Sequence, residues 1–228
     1  MFSRAARVVS PSHYLAREMA EVCQVDVVPN AVDLSRYPFR QRGPVAPNCF
    51  FLRALHRNYG ALVAIEALAL VSKSFPEATL RLAGPEMDDC RPECEQLISA
   101  RGLAGRITML GRISKEEVAR EGNQADIFIN PTFVDNTPVS VVEAMAMGLC
   151  IVSTNVGGLP YLLKDGQTAL LAPPRQAESI ADRICQLVRD PALAAALSRN
   201  ARAEAESLDW RCVLPNWREV IERAALYK

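Results

Sequence analysis

The 228-residue chain has only two histidines, no excess of either charge and no long uninterrupted apolar run, and each shortage narrows what it can do. Basic and acidic residues number 26 each, so a broad nucleic-acid or anionic-membrane surface is not expected, although a local basic pocket remains allowed. The longest apolar-rich segment is broken by Glu66. Without about 18 consecutive apolar residues no transmembrane helix is expected. The opening MFSRAARVVSPSHY lacks the apolar centre of a signal peptide. Cysteines are odd in number at seven and lie mostly in apolar runs, the usage of reduced core thiols in a cytosolic protein. Cys90 and Cys94 can share a helix face, but no second Cys or His pair stands at metal-ligand spacing, so no metal site is expected. His13 and His56 read as surface or interface residues without a proton-transfer role. There is no internal repeat and no low-complexity tract.

What is present is a core and a rhythm. Apolar residues make up 50% of the chain, and a compact fold of this size buries roughly 70% of its unfolded surface. Residues 1–28 read as strand (Ala6 to Val9), helix (His13 to Val22) and strand (Val25 to Val28), too small for a domain. Residues 29–48 read as an extended linker with Pro38, Pro44 and Pro47. Within 49–206 strands at Cys49–Leu52, Ala78–Ala83, Arg106–Leu110, Ile127–Ile129, Leu149–Val152 and Ala169–Ala172 alternate with helices. One helix opens on a Ser114/Glu117 capping box, and helices at about 176–189 and 191–206 follow the last strand. A last helix, about 211–226, falls in the segment 207–228. The alternation predicts an α/β fold with a doubly wound, Rossmann-like parallel sheet.

In such sheets ligands bind outside the carboxyl ends of the strands. That places Arg53 to Asn58 (with Arg57), Gly84, Gly111 with Arg112 and Ile113, Asp135 to Ser140, and Asn155 to Leu159 on one edge. The stretch 126–158, DIFINPTFVDNTPVSVVEAMAMGLCIVSTNVGG, is the chemical centre. Thr137 reads as an N-cap, Pro138 as the first helical residue and Gly148 as the helix stop. Free N–H groups of Val139 and Ser140 would then face outward at the positive end of the helix dipole, a site for phosphate. Asp135 and Glu143 frame it, and carboxylates beside an anion site suit sugar hydroxyls better than phosphate. Gly157 and Gly158 permit a tight turn, with close approach to ligand as a further reading.

These stretches resemble the C-terminal, donor-binding half of family-four glycosyltransferases of GT-B fold. The resemblance rests on VVPNAVDLSRY (27–37), Arg53, LRLAGPE (80–86), ITMLGRIS (107–114), DNTPVSVVEAMAMGLCIVSTNVGG (135–158) and KDGQTALLAP (164–173). It implies transfer of a sugar from a nucleotide-diphosphate sugar to a hydroxyl acceptor, carbohydrate or lipid-linked, with retention and no metal or other cofactor. Asp135 and Glu143 occupy the positions of two family glutamates with seven residues between them. Glu143 would then bind ribose hydroxyls and Asp135 would face the donor sugar. Backbone N–H groups at Thr137 to Ser140 would hold the diphosphate, with Asn136, Thr137, Pro138 and Val139 all nucleotide-sugar-binding, and Gly111 to Ile113 would meet the base through backbone. Arg53 matches the diphosphate arginine.

The chain departs from the family in four places. Aspartate replaces the first glutamate, Tyr161 stands where a glutamate often follows the Gly-Gly loop, and Ala31 replaces a glycine. The lysine expected before Gly60 is missing, with Asn58 and Tyr59 there instead, and Arg57 is the candidate second cation. The full enzymes also carry an N-terminal Rossmann domain with the acceptor site, of which only the last β-α piece is expected here. The remainder would be supplied in cis or in trans, with 207–228 as the helix crossing back to it. The resemblance implies a cytoplasmic protein, with peripheral contact at the inner face of the membrane left open. The rival reading is a partner-dependent nucleotide-sugar-binding module, half of a two-chain enzyme. A GT-B epimerase would need an acid-base pair that the residues do not supply.

Overall fold

The computed structural model describes residues 5–226, so the first four residues of the N-terminal piece and the last two of the crossing helix lie outside the described residues. Strand β1 (Val8–Ser10), helix α1 (His13–Glu18) and strand β2 (Val25–Val27) form a small leading unit in which the two strands pair in parallel. Ser12 caps α1 by accepting the Leu15 N–H. The expected run to Val22 stops at Glu18, because none of the helix residues is buried and a short helix without a packed face does not extend. The linker is not wholly extended either, since a 3-10 turn, Leu34–Arg36, opens on an Asp33 cap.

From Asn48 the alternation holds. The elements are β3 (Asn48–Leu52), α2 (Ala61–Val71), β4 (Thr79–Ala83), α3 (Cys90–Ala100), β5 (Ile107–Gly111), α4 (Lys115–Gln124), β6 (Ile127–Asn130), α5 (Val139–Ala146), β7 (Cys150–Thr154), α6 (Leu159–Leu162) and β8 (Leu170–Ala172). Helices α7 (Ala177–Arg189), α8 (Pro191–Glu206) and α9 (Trp210–Ala225) follow. The Ser114/Glu117 capping box forms with both of its bonds. The short α6 has no counterpart among the elements expected from the sequence.

The six strands pair in parallel in the order β5-β4-β3-β6-β7-β8, a doubly wound sheet as expected. Side chains alternate between its faces. Cys49, Phe51, Ile127, Ile129 and Val152 join the core under α2, α3 and α7, while Phe50, Phe128 and Ile151 join the one under α5. Phe50 and Phe128 meet edge to face, ring centres 6.2 Å apart. Burying each such ring contributes about 1.5–3 kcal/mol, which holds β3 and β6 together rigidly. Strand order reverses between these two strands, and there a doubly wound sheet opens a crevice.

Among the described residues one cation is fully inside. Arg42, from the linker, donates to the carbonyls of Gly122 (3.1 Å), Ala125 (3.0 Å) and Met147 at the C-terminal ends of α4 and α5. Helix C-termini present unpaired carbonyls and the negative end of the dipole, so a guanidinium is stabilised there. Burial lowers its pKa to about 10, which leaves it charged at neutral pH. The linker is thereby pinned beneath the sheet. At the other end of the chain, α9 sets Val213 and Val220 against Val28, with Val9 and Trp217 alongside, so the last helix packs on the leading unit.

Candidate functional site

The crevice at the reversal is a cavity of about 600 Å³ walled by the ends of β3, β4 and β5 and by the β6–α5 loop. Of the residues expected at the strand ends, Arg53, Gly84, Arg112, Ile113, Asp135, Asn136, Thr137, Pro138, Val139 and Glu143 line it. Gly84 is there for a steric reason: at φ +148° it lies so close to β3 that a Cβ would fall 1.9 Å from the Arg53 carbonyl oxygen. Gly111 stands just behind, accepting the Gly84 N–H at 2.8 Å. A larger cavity, about 980 Å³, opens between α2, α3 and α7, but it contains none of the strand-end residues and its floor carries the Glu66–Arg101 ion pair. The smaller crevice is where unpaired polar atoms gather, so the chemistry belongs to it.

Arg53 and Asp135 face each other across the reversal, with a guanidinium nitrogen 3.0 Å from Asp135 Oδ2. The contact lacks hydrogen-bond alignment, and both Arg53 Nε and Asp135 Oδ2 are buried without a hydrogen-bond partner. The guanidinium also lies 4.1 Å above the Tyr59 ring, a cation–π contact that keeps it extended into the crevice. Burial raises the Asp135 pKa from its ordinary value, against the opposing pull of Arg53 and the Asn136 N–H. The Asp135–Asn136 backbone is held from below by the Gly157–Gly158 turn. A Cβ on Gly157 would sit 2.0 Å from the Asp135 carbonyl oxygen, and one on Gly158 would sit 2.4 Å from that of Asn136. These glycines therefore serve close approach to the acidic loop.

Helix α5 begins one residue later than its sequence suggests. Pro138 is extended (ψ 126°) and acts as the N-cap, so Val139 is the first helical residue and the Thr137 hydroxyl caps nothing. The proline ring sets φ while its carbonyl accepts from Val141 at 3.1 Å. Val139 and Ser140, in the first turn, have no intrahelical partner for their N–H groups. Ser140 Oγ and Thr137 Oγ1 are also buried without partners. Four side-chain atoms, on Arg53, Asp135, Thr137 and Ser140, thus stand unsatisfied around one helix N-terminus. Leaving each such group unpaired costs about 1–3 kcal/mol.

Glu143, a turn further along, is 1% exposed. Its Oε1 accepts from the Tyr37 hydroxyl at 2.7 Å and from Lys115 Nζ. The leading unit and the linker reach the same loop: Asn30 Nδ2, from the linker, donates to the Thr137 carbonyl at 2.7 Å, and the Ser12 hydroxyl donates to Asn136 Oδ1. Sequence reasoning missed Tyr37, Lys115 and Asn30 as site residues. Tyr37 and Asn30 belong to the VVPNAVDLSRY stretch, and Lys115 directly follows the capping serine; their spacing to Glu143 exists only in three dimensions.

Two expected residues are placed elsewhere. Arg57 is 59% exposed, and its guanidinium forms a two-point pair with Glu93 (2.5 and 3.1 Å), turned away from the crevice by the 3-10 turn Arg57–Tyr59. Its guanidinium does not line the crevice, whose wall carries Arg53, Arg112 and Lys115 instead. Asn58 faces a neighbouring cavity, and its carbonyl accepts the Phe133 N–H at 2.7 Å and the Thr132 hydroxyl, so it clasps the β6–α5 loop. Among the described residues there is no cluster of three or more His, Cys, Asp or Glu placed to hold a metal ion, and no helix is long and apolar enough to cross a membrane.

Residues 46–190 match the family model described as glycosyl transferases group 1. A D-inositol 3-phosphate glycosyltransferase of Arthrobacter sp. (strain FB24) is 30% identical over 224 residues, 92% of this chain and 51% of that relative. The crystal structure of Anabaena HepE in complex with UDP-glucose superposes with a TM-score of 0.84 at 21% identity, over 98% of this chain and 65% of that one. The C-terminal domain of a glycosyl transferase group 1 family protein from Francisella tularensis superposes with a TM-score of 0.69 at 23% identity, over 77% of this chain and 97% of that domain. The chain spans about half the length of the curated relatives it matches. Its fold is that of the C-terminal half of GT-B proteins.

Proposed function

Because the chain belongs to the group 1 glycosyl transferases, with residues 46–190 matching that family, we propose that its crevice is the donor site for a nucleotide-diphosphate sugar. The observation that carries this reading is the set of unsatisfied polar groups at the α5 N-terminus. The Val139 and Ser140 N–H groups, the hydroxyls of Thr137 and Ser140, and Arg53 are all donors, gathered where the helix dipole favours an anion. A diphosphate satisfies them together. Glu143 lies one turn along α5 and accepts from the ribose hydroxyls, while Arg112 and Ile113, on the wall beyond Gly111, border the base. Asp135, beside Arg53, faces the donor sugar.

Arg53 and the α5 end lower the barrier by stabilising charge that builds on the departing diphosphate. The bond from the sugar's anomeric carbon to the diphosphate oxygen breaks and one to the acceptor oxygen forms. The acceptor proton ends on the departing nucleoside diphosphate. Attack comes from the face that the diphosphate leaves, so configuration is retained. The acceptor is a carbohydrate or a lipid-linked hydroxyl, and the protein acts in the cytoplasm, where nucleotide sugars are made.

Isothermal titration calorimetry with UDP, GDP and ADP and their glucose or mannose conjugates tests the donor site. Binding by at least one series is expected, and no heat from any of them would overturn the reading. A second reading, a nucleotide-sugar-binding module that transfers only with a partner half, is favoured by the packing of α9 on the leading β1–α1–β2 unit. It predicts donor binding without turnover by the chain alone. Release of nucleoside diphosphate with an acceptor panel separates the two readings.

A further inference from the structure

Glu143 is fixed from two sides, and one of them lies ahead of the family-matched segment. Tyr37 is 3% exposed and donates its hydroxyl proton to Glu143 Oε1 at 2.7 Å; Lys115 Nζ donates to the same oxygen. Neither bond uses Oε2. The terminal torsion of a glutamate is broad and nearly two-fold, so its oxygens exchange readily unless something distinguishes them. Two donors on Oε1 do so, and they leave Oε2 as the free acceptor.

Tyr37 is itself held firmly. It closes the Leu34–Arg36 turn through its N–H to the Leu34 carbonyl at 3.2 Å. The turn is clamped to the α8–α9 junction, where the Leu34 N–H donates to Asp209 Oδ2 at 3.2 Å and the Val32 N–H to the Leu208 carbonyl at 2.9 Å. The Tyr37 phenol is pushed upward in pKa by burial and by the Glu143 carboxylate, so it stays protonated and remains a donor at neutral pH.

We infer that Tyr37 is a positioning residue for sugar recognition on the nucleotide: it turns the Glu143 carboxylate so that Oε2 accepts from the 2′-hydroxyl of a ribose, making the linker a determinant of ribonucleotide over deoxyribonucleotide donors. This rests on the donor-site reading of Glu143. Lys115 shares the task by supplying the opposing charge on the same oxygen.

The test is calorimetry of the whole chain with UDP and 2′-deoxy-UDP, and with GDP and 2′-deoxy-GDP. A hydrogen bond to a charged group contributes about 1.5–3 kcal/mol, so the unmodified chain should prefer the ribonucleotide by roughly tenfold or more. Tyr37→Phe keeps the buried ring, and it should shrink that preference to about two- to threefold by weakening the ribonucleotide alone. Equal loss for both nucleotides means that Tyr37 only supports the fold, and an unchanged preference means that it does not orient Glu143; either overturns the inference. Glu143→Gln is the control for the underlying reading. If the ribose preference survives that change, Glu143 is not the ribose acceptor, and if the unmodified chain binds none of the four, the donor site itself is wrong; the inference falls in both cases. Should Tyr37→Phe fail to fold, Lys115→Met, on the exposed side of the same oxygen, replaces it in the same comparison: a reduced preference supports the inference, and an unchanged one overturns it.

Discussion

Ser140 offers the sharpest perturbation, because stability and binding should move in opposite directions. Its hydroxyl is buried at the α5 N-terminus with no partner in the protein. In the ligand-free chain that oxygen has lost its water and gained nothing, at a cost of about 1–3 kcal/mol. Ser140→Ala removes the group and leaves the first helical turn intact. The free protein should gain about 1 kcal/mol, which for a chain of this size is about 2–4 °C in Tm. On the proposed reading the same hydroxyl would donate to a phosphate oxygen of a bound nucleoside diphosphate, and losing a hydrogen bond to a charged partner should weaken affinity by about 10–100-fold. Paired measurements by thermal unfolding without ligand and calorimetry with the best-binding nucleoside diphosphate give both numbers from one variant. A fall in Tm would show that Oγ is satisfied within the folded protein. Unchanged affinity would show that no anion sits at the helix end. Opposite signs are the mark of a site whose groups are arranged for ligand at the expense of stability.

Two further outcomes follow from the same electrostatics. Burial raises the Asp135 pKa above its ordinary 3.8, so the folded state holds this proton more tightly than the unfolded one and loses stability as pH rises through that window. Asp135→Asn should therefore unfold at a higher temperature than the parent at pH 7, with the gap closing as pH falls towards about 4, which thermal melts across pH would check; no gap at pH 7 would contradict it. Arg57→Ala should leave nucleoside diphosphate affinity within about twofold, since its charge is spent on Glu93 in an exposed pair, whereas Arg53→Met should weaken it strongly; calorimetry on both variants decides.

How much of this could be read from the chain alone depends on the range of the contact involved. The parallel sheet followed from apolar strand runs alternating with helices, and the ligand-binding edge from the rule that such sheets bind ligands at their strand ends, whereas the strand order and the place where it reverses could be seen only in the fold. Local chemistry was legible where one segment sufficed, as in the Ser114/Glu117 capping box. It failed by one residue at α5, because Thr-Pro suits either N-cap and N1 or a residue before the cap, and Pro138 takes an extended ψ of 126°. Arg57 lay close to the site in sequence and turned away in space, because Glu93 on α3 offered a carboxylate at 2.5 Å. Lys115 and Tyr37 converge on Glu143 from a helix start and a linker that no periodicity relates. The linker was read as extended, although Arg42 makes it part of the core and Tyr37 brings it to Glu143.

The central claim is that a diphosphate sits on the α5 N-terminus with its ribose on Glu143. A crystal structure of the chain with the tightest-binding nucleoside diphosphate tests it most directly. The account predicts phosphate oxygens within hydrogen-bond distance of the Val139 and Ser140 N–H groups, Ser140 Oγ and Arg53, with the ribose hydroxyls on Glu143. A nucleotide found instead in the cavity between α2, α3 and α7, or lying in the crevice with its phosphates away from α5, would contradict it.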